Sequence, residues 1–162
     1  MKKLLVLAVL LLVSACGIKP TGVVPAGPAP TLRNTASSGR GSDLVLYFVL
    51  DGRAAPVSRP SRGTVDVGTA LATLLGGPTS TEQSEGYQTM LPPEAGPIGL
   101  SPGAQTVISF AFPLRELSST AINQLICTAS AALAANGTYA VDGGITLTGT
   151  DTKLPPQTCQ AY

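Results

Sequence analysis

Leu44-Val45-Leu46-Tyr47-Phe48-Val49-Leu50 is an unbroken β-branched and aromatic run that stops at Asp51-Gly52. A run of that length bounded by a strong turn dipeptide predicts a central strand. Beyond the turn, Ala54 to Arg59 alternates less cleanly before Pro60, the pattern of a short second hairpin strand or of a loop. The period then changes. Val67, Ala70, Leu71, Leu74 and Leu75 fall at i, i+3, i+4, i+7 and i+8, so one face of a helix is apolar, with Asp66 at its start and Gly76-Gly77-Pro78 as its stop. Thr79 to Gly86 predicts a short acidic helix or turn, capped by Ser80 or Thr81 and carrying Glu82 and Glu85 on a solvated face.

Tyr87 to Leu91 reads as a short strand ended by Pro92-Pro93, and Thr106 to Phe112 as a stronger one ended by Pro113, both expected in one sheet. Ser118 or Ser119 caps a longer helix in which Ile122, Leu125, Ile126, Ala129 and Leu133 form the apolar stripe and Asn136-Gly137 the end. Tyr139 to Val141 and Ile145 to Leu147, separated by Asp142-Gly143-Gly144, carry a hairpin signal, and the tail after Thr150 has little regular pattern. Two main helices against one mixed or mostly antiparallel sheet predict an α+β fold, a two-layer sandwich.

The N-terminus belongs to another kind of segment. Lys2 and Lys3 precede the uninterrupted apolar stretch Leu4 to Val13, followed by the small residues Ser14 and Ala15, which is the grammar of a signal peptide. Ten apolar residues rise about 15 Å as a helix, roughly half a bilayer core, too short for a comfortable transmembrane anchor. Leu12-Val13-Ser14-Ala15-Cys16-Gly17 resembles the bacterial lipobox, which implies removal of residues 1–15 and diacylation of Cys16; the alternative is a plain secretory signal with an incidental cysteine. Two or three acyl chains hold a protein stably where one holds it marginally. The chain is therefore expected at the cell membrane, lipid-anchored on its extracytoplasmic face. Residues 16–42 are rich in Pro, Gly, Ser and Ala and read as a tether reaching tens of ångströms. A folded domain over 43–149 and a tail over 150–162 complete the expected organisation.

Assigning Cys16 to lipid leaves Cys127 and Cys159 as an even pair in an oxidising compartment. A disulfide is predicted, against the alternative of two buried free thiols. Its closure over about 32 positions is worth about 3 to 4 kcal/mol in the chain-entropy description, and it would pin the tail to the longer helix.

Composition narrows the chemistry. The 162 residues contain no histidine, which removes the usual general base and the usual metal ligand. Ten Lys+Arg against nine Asp+Glu give a net charge of +1, and without a basic run nucleic acid is a poor partner. Neither cysteine of the pair lies in a C-x-x-C motif, and no G-x-S-x-G, P-loop or S-x-x-K is present. Gly76-Gly77-Pro78 is explained by a helix stop before an anion nest, and Asn136-Gly137-Thr138 by turn chemistry before glycosylation. No catalytic residue, cofactor or metal site is assigned.

The order Tyr47-Phe48-Val49, Asp51-Gly52, Pro56-Val57-Ser58-Arg59-Pro60, Ala70-Leu71 and Leu74-Leu75-Gly76-Gly77-Pro78-Thr79 resembles the GerMN domain. Glu82, Glu85-Gly86, Leu91-Pro92-Pro93 and Gln124-Leu125-Ile126-Cys127-Thr128 continue the likeness, which covers roughly residues 44 to 148. The resemblance implies a small fold akin to ring-building domains, found in extracytoplasmic lipoproteins, in envelope-spanning assemblies of spore formers and beside sensor kinases. The chain carries one copy of the pattern, so a sporulation role is not carried over. The expected function is a non-catalytic protein-interaction domain in assembly or regulation of a cell-envelope complex, docking through the hairpin at Asp51-Gly52 or the edge near Tyr139 to Leu147. The alternative is a lipoprotein that binds a small ligand, a lipid or a cell-wall fragment, which a pocket would favour.

Overall fold

The computed structural model describes residues 43–61, 63–93, 96–101, 105–140 and 144–160. The expected signal segment, Cys16, the expected tether to residue 42, and Val141-Asp142-Gly143 of the expected hairpin lie outside the described residues.

The fold is α+β, with three helices and two sheets among the described residues. Strand β1, Leu44–Leu50, and strand β2, Arg53–Arg59, form an antiparallel hairpin in which Leu50 faces Arg53 and Leu44 faces Arg59. The two turn residues carry positive φ, 51° at Asp51 and 77° at Gly52, as a tight two-residue hairpin demands. Leu44, Leu46 and Phe48 alternate into the core, so the uninterrupted apolar run is still read with period two.

Helix α1, Val67–Leu75, begins where the Asp66 side chain accepts from the N–H of Thr69 and ends at Gly76, with Gly77 at φ 80° just beyond. All five residues of its predicted stripe are buried. Helix α2, Ser80–Ser84, is capped by Thr79, one position before the caps expected, through a reciprocal capping box with Glu82. Strand β3, Ile98–Ser101, pairs antiparallel with β4, Thr106–Phe110. Helix α3, Ser119–Ala135, capped by Ser118, then crosses over to β5, Ile145–Thr148, which runs parallel to β4. This β4-α3-β5 crossover supplies the second layer: α3 packs on β1 and on α1 around one apolar cluster that includes Leu71, Leu74, Ile108, Leu125 and Leu147.

The strands divide into two sheets, where one was expected, because α3 ends the first sheet with side chains. On the edge of β1 away from β2, the Tyr47 N–H donates to Thr128 Oγ1 at 2.9 Å, and Gln124 Nε2 donates to the Tyr47 carbonyl at 3.1 Å. Two helical side chains four residues apart thus meet the strand's polar groups where a neighbouring strand would stand. Tyr87 to Leu91 supplies no full strand; Gln88 alone exchanges both backbone bonds with Val49, which places this segment on β1 and not beside β4. The same register explains Pro56. It faces Tyr47, whose polar groups point away from β2, so the pair is a non-hydrogen-bonded one and the missing N–H of Pro56 falls on the outer side of an edge strand.

The expected hairpin partner of β5 is replaced. The tail pairs with β5 through Ile145 opposite Gln157 and Thr148 opposite Lys153, while Tyr139 is 75 % exposed and in no strand. Covered by β4 on one side and the tail on the other, Ile145, Thr146 and Leu147 are all buried. Among the described residues no helix is long and apolar enough to cross a membrane.

Candidate functional site

Cys127 and Cys159 are joined in a disulfide, with Cα atoms 4.5 Å apart, well within the reach of the bond. One helical turn earlier on α3, Asn123 donates from Nδ2 to the Gln160 carbonyl at 2.7 Å and accepts from the Gln160 N–H at 3.0 Å. A covalent bond and a two-point amide clasp from one helix face therefore hold the end of the tail. Its beginning is held separately. Asp151 accepts from the N–H of Leu114 at 2.8 Å and of Arg115 at 3.1 Å, and these bonds, the Leu114 one foremost, keep its carboxyl below the usual range, helped by the nearby Arg115 charge. Gly149 allows this contact, since a Cβ there would stand 2.6 Å from Leu114 Cγ and 2.8 Å from the Phe112 carbonyl oxygen.

Between these fixed points lies a cleft of about 780 Å³. Its walls come from three parts of the chain: Gly52, Arg53 and Ala54 at the β1-β2 turn, the segment from Leu114 through the first turns of α3, and the tail from Thr152 to Gln160. Ala54, Leu114 and Ile122 are buried in its floor, while Arg53, Arg115, Ser119 and Thr158 are exposed around it. The lining holds two guanidiniums, several hydroxyls and amides, and no Asp, Glu, Cys or Tyr. The lining thus combines buried apolar residues with exposed arginines and hydroxyls.

A second cluster is structural. Glu82, expected on a solvated face, is 8 % exposed and takes a bidentate bond from Arg59, Nε to Oε1 at 2.9 Å and Nη2 to Oε2 at 2.6 Å. The Thr79 N–H adds a third bond at 2.7 Å, and Arg59 also donates to the Gly77 carbonyl and lies 5.2 Å from the Phe48 ring centre. The Arg59 hydrogen bond, opposed by desolvation, lowers the Glu82 pKa from 4.5 to about 2. With its oxygens so engaged, Glu82 ties β2 to α2. The one readable signal was Thr79-x-x-Glu82, the capping-box spacing.

The structure thus brings Cys127 and Cys159 together as expected and makes their tail one wall of a cleft that the sequence did not reveal. It closes one of the two expected docking edges, since the tail occupies the free side of β5, and it leaves the Asp51-Gly52 turn at the rim of the cleft. Among the described residues no group of three or more His, Cys, Asp or Glu is placed to hold a metal ion, and every buried side-chain nitrogen and oxygen has a partner. No family model, curated protein or solved structure matches this chain.

Proposed function

We propose that this chain is a lipid-anchored interaction module of the extracytoplasmic face, with a single GerMN-like domain that docks without catalysis onto another envelope protein in the assembly or regulation of an envelope complex. In this reading Cys16 is the diacylated first residue of the mature chain, residues 17–42 give the domain reach, and the folded part recognises the partner. The observation that carries the reading is the cleft beside the Asp51-Gly52 turn: its lining offers apolar area, amides and two cations, and no carboxylate, thiol or imidazole that would activate its hydroxyls. The resemblance to the GerMN domain supports the same reading through the order of its elements and the Leu74-Leu75-Gly76-Gly77-Pro78-Thr79 helix end.

A second reading, a lipoprotein that binds a lipid or cell-wall fragment, is favoured by the cleft volume, which falls within the range of small-ligand sites. Crosslinking of intact envelope membranes separates the two. The docking reading expects a discrete protein adduct and no tightly held small molecule by mass spectrometry of the purified chain. Turnover of a peptidoglycan, ester or peptide substrate, abolished by one side-chain substitution that leaves the fold intact, would overturn both.

A further inference from the structure

The folded part of the chain and its cleft carry opposite charge. From residue 43 onward there are five basic and nine acidic residues, so the domain is net acidic. Yet Arg53 and Arg115, two of those five cations, line the cleft, and no acidic side chain does. Arg59 is committed to Glu82. Asp151, whose carboxyl feels the Arg115 charge, turns both carboxylate oxygens to backbone N–H groups, and the exposed Asp51 and Glu116, next in sequence to Gly52 and Arg115, are not among the lining residues. The cleft is a local inversion of sign on an acidic protein, and such an inversion selects an anionic occupant and steers it in.

We propose that the cleft binds an acidic segment of a partner protein in which carboxylate and apolar side chains are interleaved; the proposal rests on the docking reading above and names its recognition chemistry. Arg53 and Arg115 reach the cleft from different elements, which suits two carboxylates spaced along a chain, each met by a planar guanidinium donor. The buried floor of Ala54, Leu114 and Ile122 takes the apolar side chains between them. Gln157 adds an amide to the lining, Asn123 being spent on Gln160, and the start of the 17-residue helix α3, with Ser119 and Thr120 in the lining, adds its positive dipole end. The disulfide and the Asn123 clasp fix the tail wall before binding, which lowers the ordering cost of association. The protein's own tether is a poor occupant, because residues 17–42 contain Lys19, Arg33 and Arg40 and no acid.

The test is fluorescence anisotropy of the full chain, purified in detergent, with a labelled peptide of alternating glutamate and leucine. Binding that falls as salt rises is expected, with little for the glutamine-leucine or lysine-leucine peptides. Arg53→Glu together with Arg115→Glu should weaken it by at least about tenfold, whereas Ala72→Glu, exposed on α1 and outside the cleft, should not. Both arginines are exposed, so circular dichroism of the double variant should match the parent. Equal binding of the glutamine peptide, or no effect of the double reversal, overturns the proposal. So does displacement of the acidic peptide by glycerol phosphate at equal concentration, which would make the cleft a phosphate site, or a dimer in sedimentation that dissociates when the peptide is added, which would make the occupant a second copy. A protein adduct in membranes without acidic-peptide binding would overturn this inference alone and leave the docking reading standing.

Discussion

Glu82→Gln removes the charge from the carboxylate that joins β2 to α2 while leaving an amide oxygen able to accept the Thr79 N–H of the capping box. The change therefore isolates the ion pair with Arg59 from the cap. A carboxyl whose pKa falls from 4.5 to about 2 on folding is worth about 3 kcal/mol of stability once it is ionised in both states. The pair is not fully dry, with 20 % of the Arg59 and 11 % of the Glu82 side chain exposed, so water screens part of that sum and a loss of about 2 kcal/mol near neutral pH is expected. The sign follows from the depressed folded-state pKa: the stabilisation is whole above pH 4.5 and drains away as pH falls toward about 2. Urea unfolding followed by circular dichroism at a series of pH values measures it, urea being uncharged and leaving the pair unscreened. Asp66, held below its ordinary value chiefly by the Thr69 side chain, contributes an acid slope of its own to both proteins and cancels in the difference. The wild-type and Glu82→Gln curves should lie apart at neutral pH and converge in acid, and a cycle with Arg59→Met should show coupling of about 1 to 2 kcal/mol. Parallel curves over the whole range, or a loss below about 0.5 kcal/mol at neutral pH, would refute the assignment.

Replacing Cys127 and Cys159 together by alanine should cost about 3.7 kcal/mol for the 32-residue separation, read as a lower urea midpoint, and should speed proteolysis of the tail before the rest of the domain. Thr128→Val keeps the shape of a fully buried side chain and removes the acceptor of the Tyr47 N–H, so a loss of about 1 to 3 kcal/mol is expected, with Thr128→Ser recovering part of it. Gly149→Ala forces a methyl group against Leu114 and the Phe112 carbonyl and should lower the melting temperature, at a cost of about 1 to 3 kcal/mol, where Gly63→Ala, with nothing within 4 Å, should not.

The elements whose stability is local were legible in the sequence. β1 with its Asp51-Gly52 turn, α1 between Asp66 and Gly76, α3 after Ser118 and the cysteine pair all follow from short-range pattern or from cysteine arithmetic. What escaped depends on partners far along the chain. Glu82 looked solvated because its neighbour in sequence is Glu85, and nothing nearby shows that Arg59, 23 residues earlier, folds back onto it. The division into two sheets turns on Gln124 and Thr128 meeting Tyr47 some eighty positions away. Their signal was a polar pair four residues apart within a helix that is otherwise buried on that face. Strand β3 is four residues long, three of them exposed, and contains Gly99, so neither period nor composition marks it. The tail has no strand pattern because it pairs through isolated bridges, and its place comes from the disulfide and from Asp151. The cleft depends on that placement of the tail against α3 and the β1-β2 turn.

The central claim, a membrane-anchored domain that docks through its cleft, is tested most directly by site-specific photocrosslinking in the cells that make the protein. A photoreactive residue in place of Ser119, at the cleft, is compared with one in place of Ala72, on the exposed face of α1. The account predicts one discrete adduct with an envelope protein from position 119, absent from position 72, lost with Arg53→Glu and Arg115→Glu, and lost from the membrane fraction when Cys16→Ala removes the anchor. Equal labelling from both positions, an adduct indifferent to the two reversals, or undiminished membrane association without Cys16 would contradict it.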